Sequence, residues 1–262
     1  MTIDKPVLLV TNDDGIAAPG IRALIEAVKD LGKVIVVAPD SPQSGMGHAV
    51  TIGEPLRLYK VQVFEGIEAW ESSGTPVDCV KLARDIILSY KPALCLSGIN
   101  HGANHSINVI YSGTMSAAME AAIEGVPSVG FSLLDYRHDA DFTIAQDVAR
   151  TITKKMLEQA LPDHTLLNVN IPIVTKETFK GIKICRQADA KWQEEFDKRV
   201  DPRGQDYYWM TGKFVNRDKG TGTDVEALAE NYASVVPVKF DLTDHTIKAK
   251  LEMDWQDISG IQ

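Results

Sequence analysis

Val7-Leu-Leu-Val-Thr-Asn-Asp-Asp-Gly15 is the stretch that decides the fold. Four apolar residues run without a break into a polar cluster that closes on Gly15, and from Ile21 to Val28 apolar residues return at spacings of three and four. An unbroken run followed by helical spacing predicts strand, loop, helix. Lys33-Val-Ile-Val-Val-Ala38 is a second β-branched run, stopped by Pro39. Neither run alternates, so both strands are expected to be buried on two faces, as in a parallel sheet covered by helices.

The same alternation continues outward. Thr75-Pro76 opens a helix through Leu88, with Thr as cap and Pro at the first helical position. Ala93 to Leu96 reads as strand, Ser97 to Gly113 as a polar, glycine-rich loop, and Ser116 to Glu124 as helix. Ser128 to Ser132 and Leu166 to Val169 read as strands flanking an amphipathic helix from Asp141 to Leu161. Repeated β-α-β through about residue 170 predicts an α/β fold with a doubly wound, mostly parallel sheet and right-handed crossovers. Ligands in such sheets sit outside the carboxyl ends of the strands. Asn12 to Gly15, Ser41 to Gly47 and Ser97 to Asn104 each follow a strand directly, so they are expected to converge on one edge.

Beyond residue 172 the helical period fades, and Trp192, Phe196, Tyr207, Tyr208, Trp209 and Phe214 lie among charged residues. Protruding β-hairpins and a tail are expected there, with a partner subunit to cover the aromatics. Residues 1–175 are accordingly expected to form the core. Residues 176–262 form a hairpin and tail region, packed on the core, for oligomerisation and completion of the pocket.

Of 262 residues, 44% are apolar and 24% charged, the balance of a globular protein, which excludes disorder. Lys and Arg number 27 against 36 Asp and Glu, a net charge of −9 that repels nucleic-acid polymers. Cys79, Cys95 and Cys185 are widely spaced with no CxxC pair, which argues against disulfides or a cysteine zinc site. The apolar run in Met1 to Gly15 is too short for a signal peptide and no run approaches 18 residues, so a cytoplasmic protein without a membrane partner is expected.

Asp13 and Asp14 carry the most pointed chemistry. Two unit charges at 4 Å repel by about 4 kcal/mol at an effective dielectric of 20, which a divalent cation relieves; an Asx turn is the plainer reading of Asn-Asp-Asp-Gly. Ser44 and Asn100 offer the oxygen donors that Mg²⁺ or Mn²⁺ prefers, or are ordinary loop residues. Ser112-Gly113-Thr114 precedes a helix and is either a phosphate seat or a simple cap. HExxH, G-x-S-x-G, GxGxxG and a Walker loop are all missing from the sequence. A histidine near the site fits proton donation or substrate contact better than zinc ligation.

Taken together, Thr11-Asn-Asp-Asp-Gly-Ile16, Ala38-Pro-Asp-Ser-Pro-Gln-Ser-Gly45, Gly74-Thr-Pro-Val-Asp-Cys-Val80, Ser97-Gly-Ile-Asn-His-Gly-Ala-Asn104 and Tyr111-Ser-Gly-Thr114 resemble the SurE family of metal-dependent 5′/3′-nucleotidases, in the family's order. Leu167-Asn-Val-Asn-Ile-Pro172 and Gly222-Thr-Asp224 extend the likeness over nearly the whole chain. The resemblance implies a Rossmann-like core, one Mg²⁺ or Mn²⁺ per subunit on Asp13, Asp14, Ser44 and Asn100, and catalysis by Asp13, Asp14 and Asn100. It implies phosphate and substrate contacts from Asn12, Gly45, Asn104, Ser112, Gly113 and Thr114. It further implies a homodimer or homotetramer that hydrolyses nucleoside 5′-monophosphates through water, with 3′-monophosphates open as further substrates. Two alternatives stand beside it: a non-catalytic nucleotide-binding protein, and a phosphatase with an Asp nucleophile, whose usual Asp-x-Asp spacing is Asp-Asp here.

Overall fold

A computed structural model describes residues 5–137, 139–159, 162 and 164–255. In chain order the elements are β1 (Val7–Thr11), α1 (Pro19–Val28), β2 (Lys33–Pro39), β3 (Leu58–Val61), β4 (Glu68–Ser72), α2 (Pro76–Leu82), β5 (Leu94–His101), α3 (Gly113–Ile123), β6 (Ser128–Leu133) and α4 (Thr143–Glu158). They continue with β7 (Leu166–Ile171), β8 (Ile182–Ile184), β9 (Ala190–Val200), β10 (Asp206–Asn216), α5 (Asp224–Ala229), β11 (Ala233–Val238) and α6 (His245–Asp254). The expected end of the helix at Leu161, the extreme N-terminus and the last residues of the tail lie outside the described residues.

The main sheet runs β3-β4-β2-β1-β5-β6-β7-β11-β8. The six strands from β4 to β7 are mutually parallel, and β3 and β11 join antiparallel at either side. Both faces are covered, as the unbroken apolar runs require. Leu8 and Val10 of β1 pack with Leu24, Val28 and Val148 from α1 and α4, while Leu9 between them packs with Cys79, Val80 and Ala117 from α2 and α3. The doubly wound, mostly parallel α/β sheet expected from the sequence is present.

Several boundaries differ. β5 does not stop at Leu96 but runs through Asn100 to His101, with an irregularity against β6 between Ser97 and Asn100. Pairing with the buried β6 holds this polar stretch as strand where local composition reads as loop. Similarly α3 begins at Gly113, three residues earlier than expected, because Ser112 is its cap and its side chain accepts from Met115 N–H. After α2 the helix widens into a π-helical turn, Ala83–Leu88. Beyond residue 175, β8 and β11 close the far edge of the main sheet, whereas β9 and β10 form a separate antiparallel hairpin.

Candidate metal and phosphate site

Chain order reverses between β1 and β5: from β1 the sheet grows through β2 and β4 to one side, then through β6 and β7 to the other. Crevices at such reversals, outside the carboxyl ends of the strands, are where doubly wound sheets bind ligands. Asp13 and Asp14 follow β1 just after Asn12, Asn100 and His101 end β5, and Ser44 follows β2. A cavity of about 830 Å³ lies here, lined by Asp13, Ser44, Gly45, Asn100, Asn104 and Ser112 of the expected set. His101, Tyr111 and Tyr136 add to its walls, and Trp192, Glu194, Met210, Thr211 and Gly212 of the β9–β10 hairpin close over it.

The remaining expected residues sit behind that surface. Asp14 accepts from His101 N–H at 3.2 Å, tying the β1 and β5 ends together. Asn12 donates from Nδ2 to Gly15 O at 2.8 Å, so part of the turn reading holds, yet its Oδ1 is buried with no donor among the described residues. Thr114 donates its hydroxyl to Asp13. A Cβ on Gly113 would lie 2.7 Å from the Asp13 Cβ and 2.9 Å from its Oδ2, so only glycine lets the α3 N-terminus approach this closely.

Asp13 is 5% exposed. Burial raises its pKa to about 6, with the Asp14 charge adding to the rise and the Thr114 hydrogen bonds opposing it. Burial also raises Asp14, against the pull of the His101 amide. No Lys, Arg or His among the described residues forms an ion pair with either carboxylate. Asn100 spends its Nδ2 on the carbonyls of His101 and Gly102, at 3.2 and 3.0 Å, which leaves Oδ1 as its uncommitted atom. A buried carboxylate lacking a cationic partner, a second carboxylate beside it, a hydroxyl and a free amide oxygen form a hard-oxygen donor set that fits Mg²⁺ or Mn²⁺. Among the described residues no three His, Cys, Asp or Glu side chains converge to hold a metal.

Supporting contacts escaped the sequence reading. Asn170 Oδ1 accepts from Asn104 N–H at 2.8 Å, Asn168 donates to Asn104 O at 2.8 Å, and Ser132 accepts from Asn104 Nδ2 at 2.8 Å. The i, i+2 spacing of Asn168 and Asn170 on a buried strand was the available signal. Buried Asp224 accepts from Ser106 N–H at 2.7 Å and from Ala188 N–H at 3.0 Å, while Ser106 Oγ donates to Ala188 O or Ala190 O, each at 2.8 Å. These bonds fix the hairpin root. His105 packs edge-on against Phe214 and burial lowers its pKa, so it supports the hairpin, whereas His101 faces the cavity. On the loop that carries Ser44, His48 Nε2 lies 2.8 Å from Glu120 of α3, which Lys81 also contacts.

A doubly wound sheet that presents two carboxylates and neutral oxygen donors at its reversal point, beside a helix N-terminus, defines a Rossmann-like α/β protein with a polar crevice at its strand ends. Residues 8–194 match the family model described as Survival protein SurE. Proteins named 5′-nucleotidase SurE from Christiangramia forsetii and Cytophaga hutchinsonii are 61% and 55% identical to the chain; alignment covers 94% and 98% of it and 95% and 99% of those proteins. The crystal structure of SurE protein from Aquifex aeolicus superposes with a TM-score of 0.81 at 41% identity, over 95% of this chain and 100% of that one. The chain belongs to the SurE family.

Proposed function

We propose that this protein is a 5′-nucleotidase, a phosphoric monoester hydrolase that converts nucleoside monophosphates to nucleoside and phosphate. Its near full-length likeness to proteins of that name supports the reaction. The observation that carries the mechanism is Asp13: a buried carboxylate without a cationic partner, at the sheet's reversal point, on the wall of the large cavity. Asp13, Asp14, Ser44 and Asn100 would hold one Mg²⁺ or Mn²⁺ per subunit. When bound, such an ion polarises phosphoryl oxygens and lowers the pKa of coordinated water.

The chain's own groups do the rest. Ser112 Oγ accepts from Met115 N–H and so keeps its own proton for a phosphate oxygen, at a helix N-terminus that favours negative charge. Asn104, pinned by Asn168, Asn170 and Ser132, lines the same cavity as Ser112. Asn12, Gly113 and Thr114 hold the carboxylate loop against α3, and Gly45 leaves the Ser44 turn open to substrate. Thr114 engages Asp13 through both hydroxyl and amide, which orients the carboxylate and argues for attack by water rather than by Asp13 itself.

Phosphate release from 5′- and 3′-nucleoside monophosphates, measured with Mg²⁺, with Mn²⁺ and with excess chelator, tests this. Metal-dependent release is expected. Saturable nucleotide binding without release would leave a non-catalytic binding protein, and a trapped phospho-aspartate would restore the Asp nucleophile.

The exposed Phe196, Tyr208, Trp209 and Met210 of the hairpin support a homodimer or homotetramer. Three free cysteines support a cytoplasmic location. Among the described residues no helix is long and apolar enough to cross a membrane. The net charge of −9 supports a small nucleotide, not DNA or RNA, as ligand.

A further inference from the structure

The hairpin wall of the cavity has a simple chemical character. Register pairs Trp192 with Phe214, Glu194 with Gly212 and Phe196 with Met210, so Trp192, Glu194, Met210 and Gly212 share one hairpin face, and all four line the cavity. Directly opposed residues of an antiparallel pair lie on the same face. Trp192 is held in place: its Nε1 donates to Asn108 Oδ1 at 3.1 Å and its ring packs edge-on against Phe214. Thr211 spends its hydroxyl on Glu195 O. Gly212 adopts φ +149°, and a Cβ there would lie 2.4 Å from Gln193 O, so no side chain fills the space opposite Glu194.

Glu194 is then the one side chain of this wall with uncommitted polar atoms; among the described residues its carboxylate forms no hydrogen bond or ion pair. An ionised carboxylate only accepts, and it accepts two parallel bonds best. Of the common bases only guanine presents two adjacent donors, N1–H and the N2 amino group, on one edge. Adenine pairs its amino group with the N1 lone pair, which a carboxylate repels. Hypoxanthine keeps N1–H but lacks the amino group. The Trp192 indole supplies an aromatic surface for a base.

We propose that Glu194 is a specificity-determining residue that selects guanine nucleotides by accepting from N1–H and N2–H of the base. The proposal rests on the nucleotidase reading for its ligand class. It is tested by measuring kcat/KM and Kd for GMP, IMP and AMP with the wild-type protein and Glu194→Gln. In the wild type, kcat/KM should fall in the order GMP, IMP, AMP, with GMP about tenfold or more above AMP, and Kd should follow the same order. Gln places an amino group where a lone pair served guanine, so in Glu194→Gln the GMP to AMP ratio should drop to within about threefold.

Equal use of AMP and GMP by the wild type would overturn the assignment, as would a Glu194→Gln variant that loses the same factor on all three. Selective Kd values without turnover would sink the nucleotidase reading and keep the base reading. Turnover without selectivity would do the reverse.

Discussion

The two walls of the cavity are built on opposite terms. On the sheet side, Asp13, Asn104 and Ser112 are buried residues backed by six parallel strands and by helices on both faces. On the hairpin side, β9 and β10 are 11-residue strands, exposed almost throughout, that pair only with each other. Their hold on the core is concentrated at the root, where Asp224, Ser106 and the Trp192–Asn108 bond meet it. Charge stabilisation in a transition state depends on donors fixed before the reaction, which a packed sheet edge supplies. Recognition of a base tolerates an arm anchored at one end, and that arm can vary without disturbing the core.

The sharpest way to break the contrast is Asp13→Asn. Turnover should fall on the order of 10³-fold or more, because a ligand and charge of the site are removed. Stability should move the other way. The folded-state carboxyl titrates at about 6 and the unfolded one at 3.8, so ionised Asp13 opposes folding at pH 7 and above. That opposition amounts to about 3 kcal/mol at most and is relieved as pH falls through 6 towards 4. Metal-free Asp13→Asn should therefore have a higher Tm than metal-free wild type at pH 7.5, with the gap closing near pH 4, by calorimetry in chelator.

Asp224→Ala probes the hairpin root. It strips acceptors from the Ser106, Ala188 and Val225 amides at a fully buried position, and about 3 kcal/mol of stability should be lost, read by urea unfolding. Because the hairpin wall shifts while the sheet edge does not, KM should rise more than kcat falls. Equal loss in both would mean that the hairpin shapes the chemistry as well.

The smallest expected effect is at Glu120, which sits under the Ser44 loop. Burial pushes this carboxyl up, but its bonds to His48 and Lys81 outweigh that and hold it below the usual range, so it stays charged at neutral pH. Both partners are substantially exposed, so solvent screens the pair. Glu120→Gln should loosen the loop and weaken Mn²⁺ affinity by about threefold, with little change in Tm. No change in affinity would show that the ties of Ala49 and Thr51 to Thr75 and Asp78 hold the loop unaided.

The same contrast governs how much was legible in the sequence. β1, β2, β6 and β7 announce themselves because strands buried on two faces need unbroken apolar runs, and the polar clusters after β1, after β2 and at the end of β5 all reach the wall of one cavity. β3 and β4 carry no such run: Lys60 and Glu68 pair across an exposed edge, and that pairing is written only in three dimensions. The last turn of β5 was hidden because Ser97-Gly-Ile-Asn100 owes its strand geometry to β6. The metal-ligand candidates lie in local motifs and could be read; the bond from Ser106 to Asp224 joins residues 118 apart, and no local pattern announces it.

The central claim is that the carboxylates at the β1/β5 reversal hold one divalent cation on which hydrolysis depends. Titrating Mn²⁺ into metal-free wild type and Asp13→Asn, while following bound metal and phosphate release from GMP in the same samples, tests it most directly. About one equivalent bound per wild-type chain, with turnover rising in step and both lost in Asp13→Asn, is the expected result. Undiminished turnover in excess chelator, or an Asp13→Asn protein that binds one equivalent and hydrolyses GMP normally, would contradict the account.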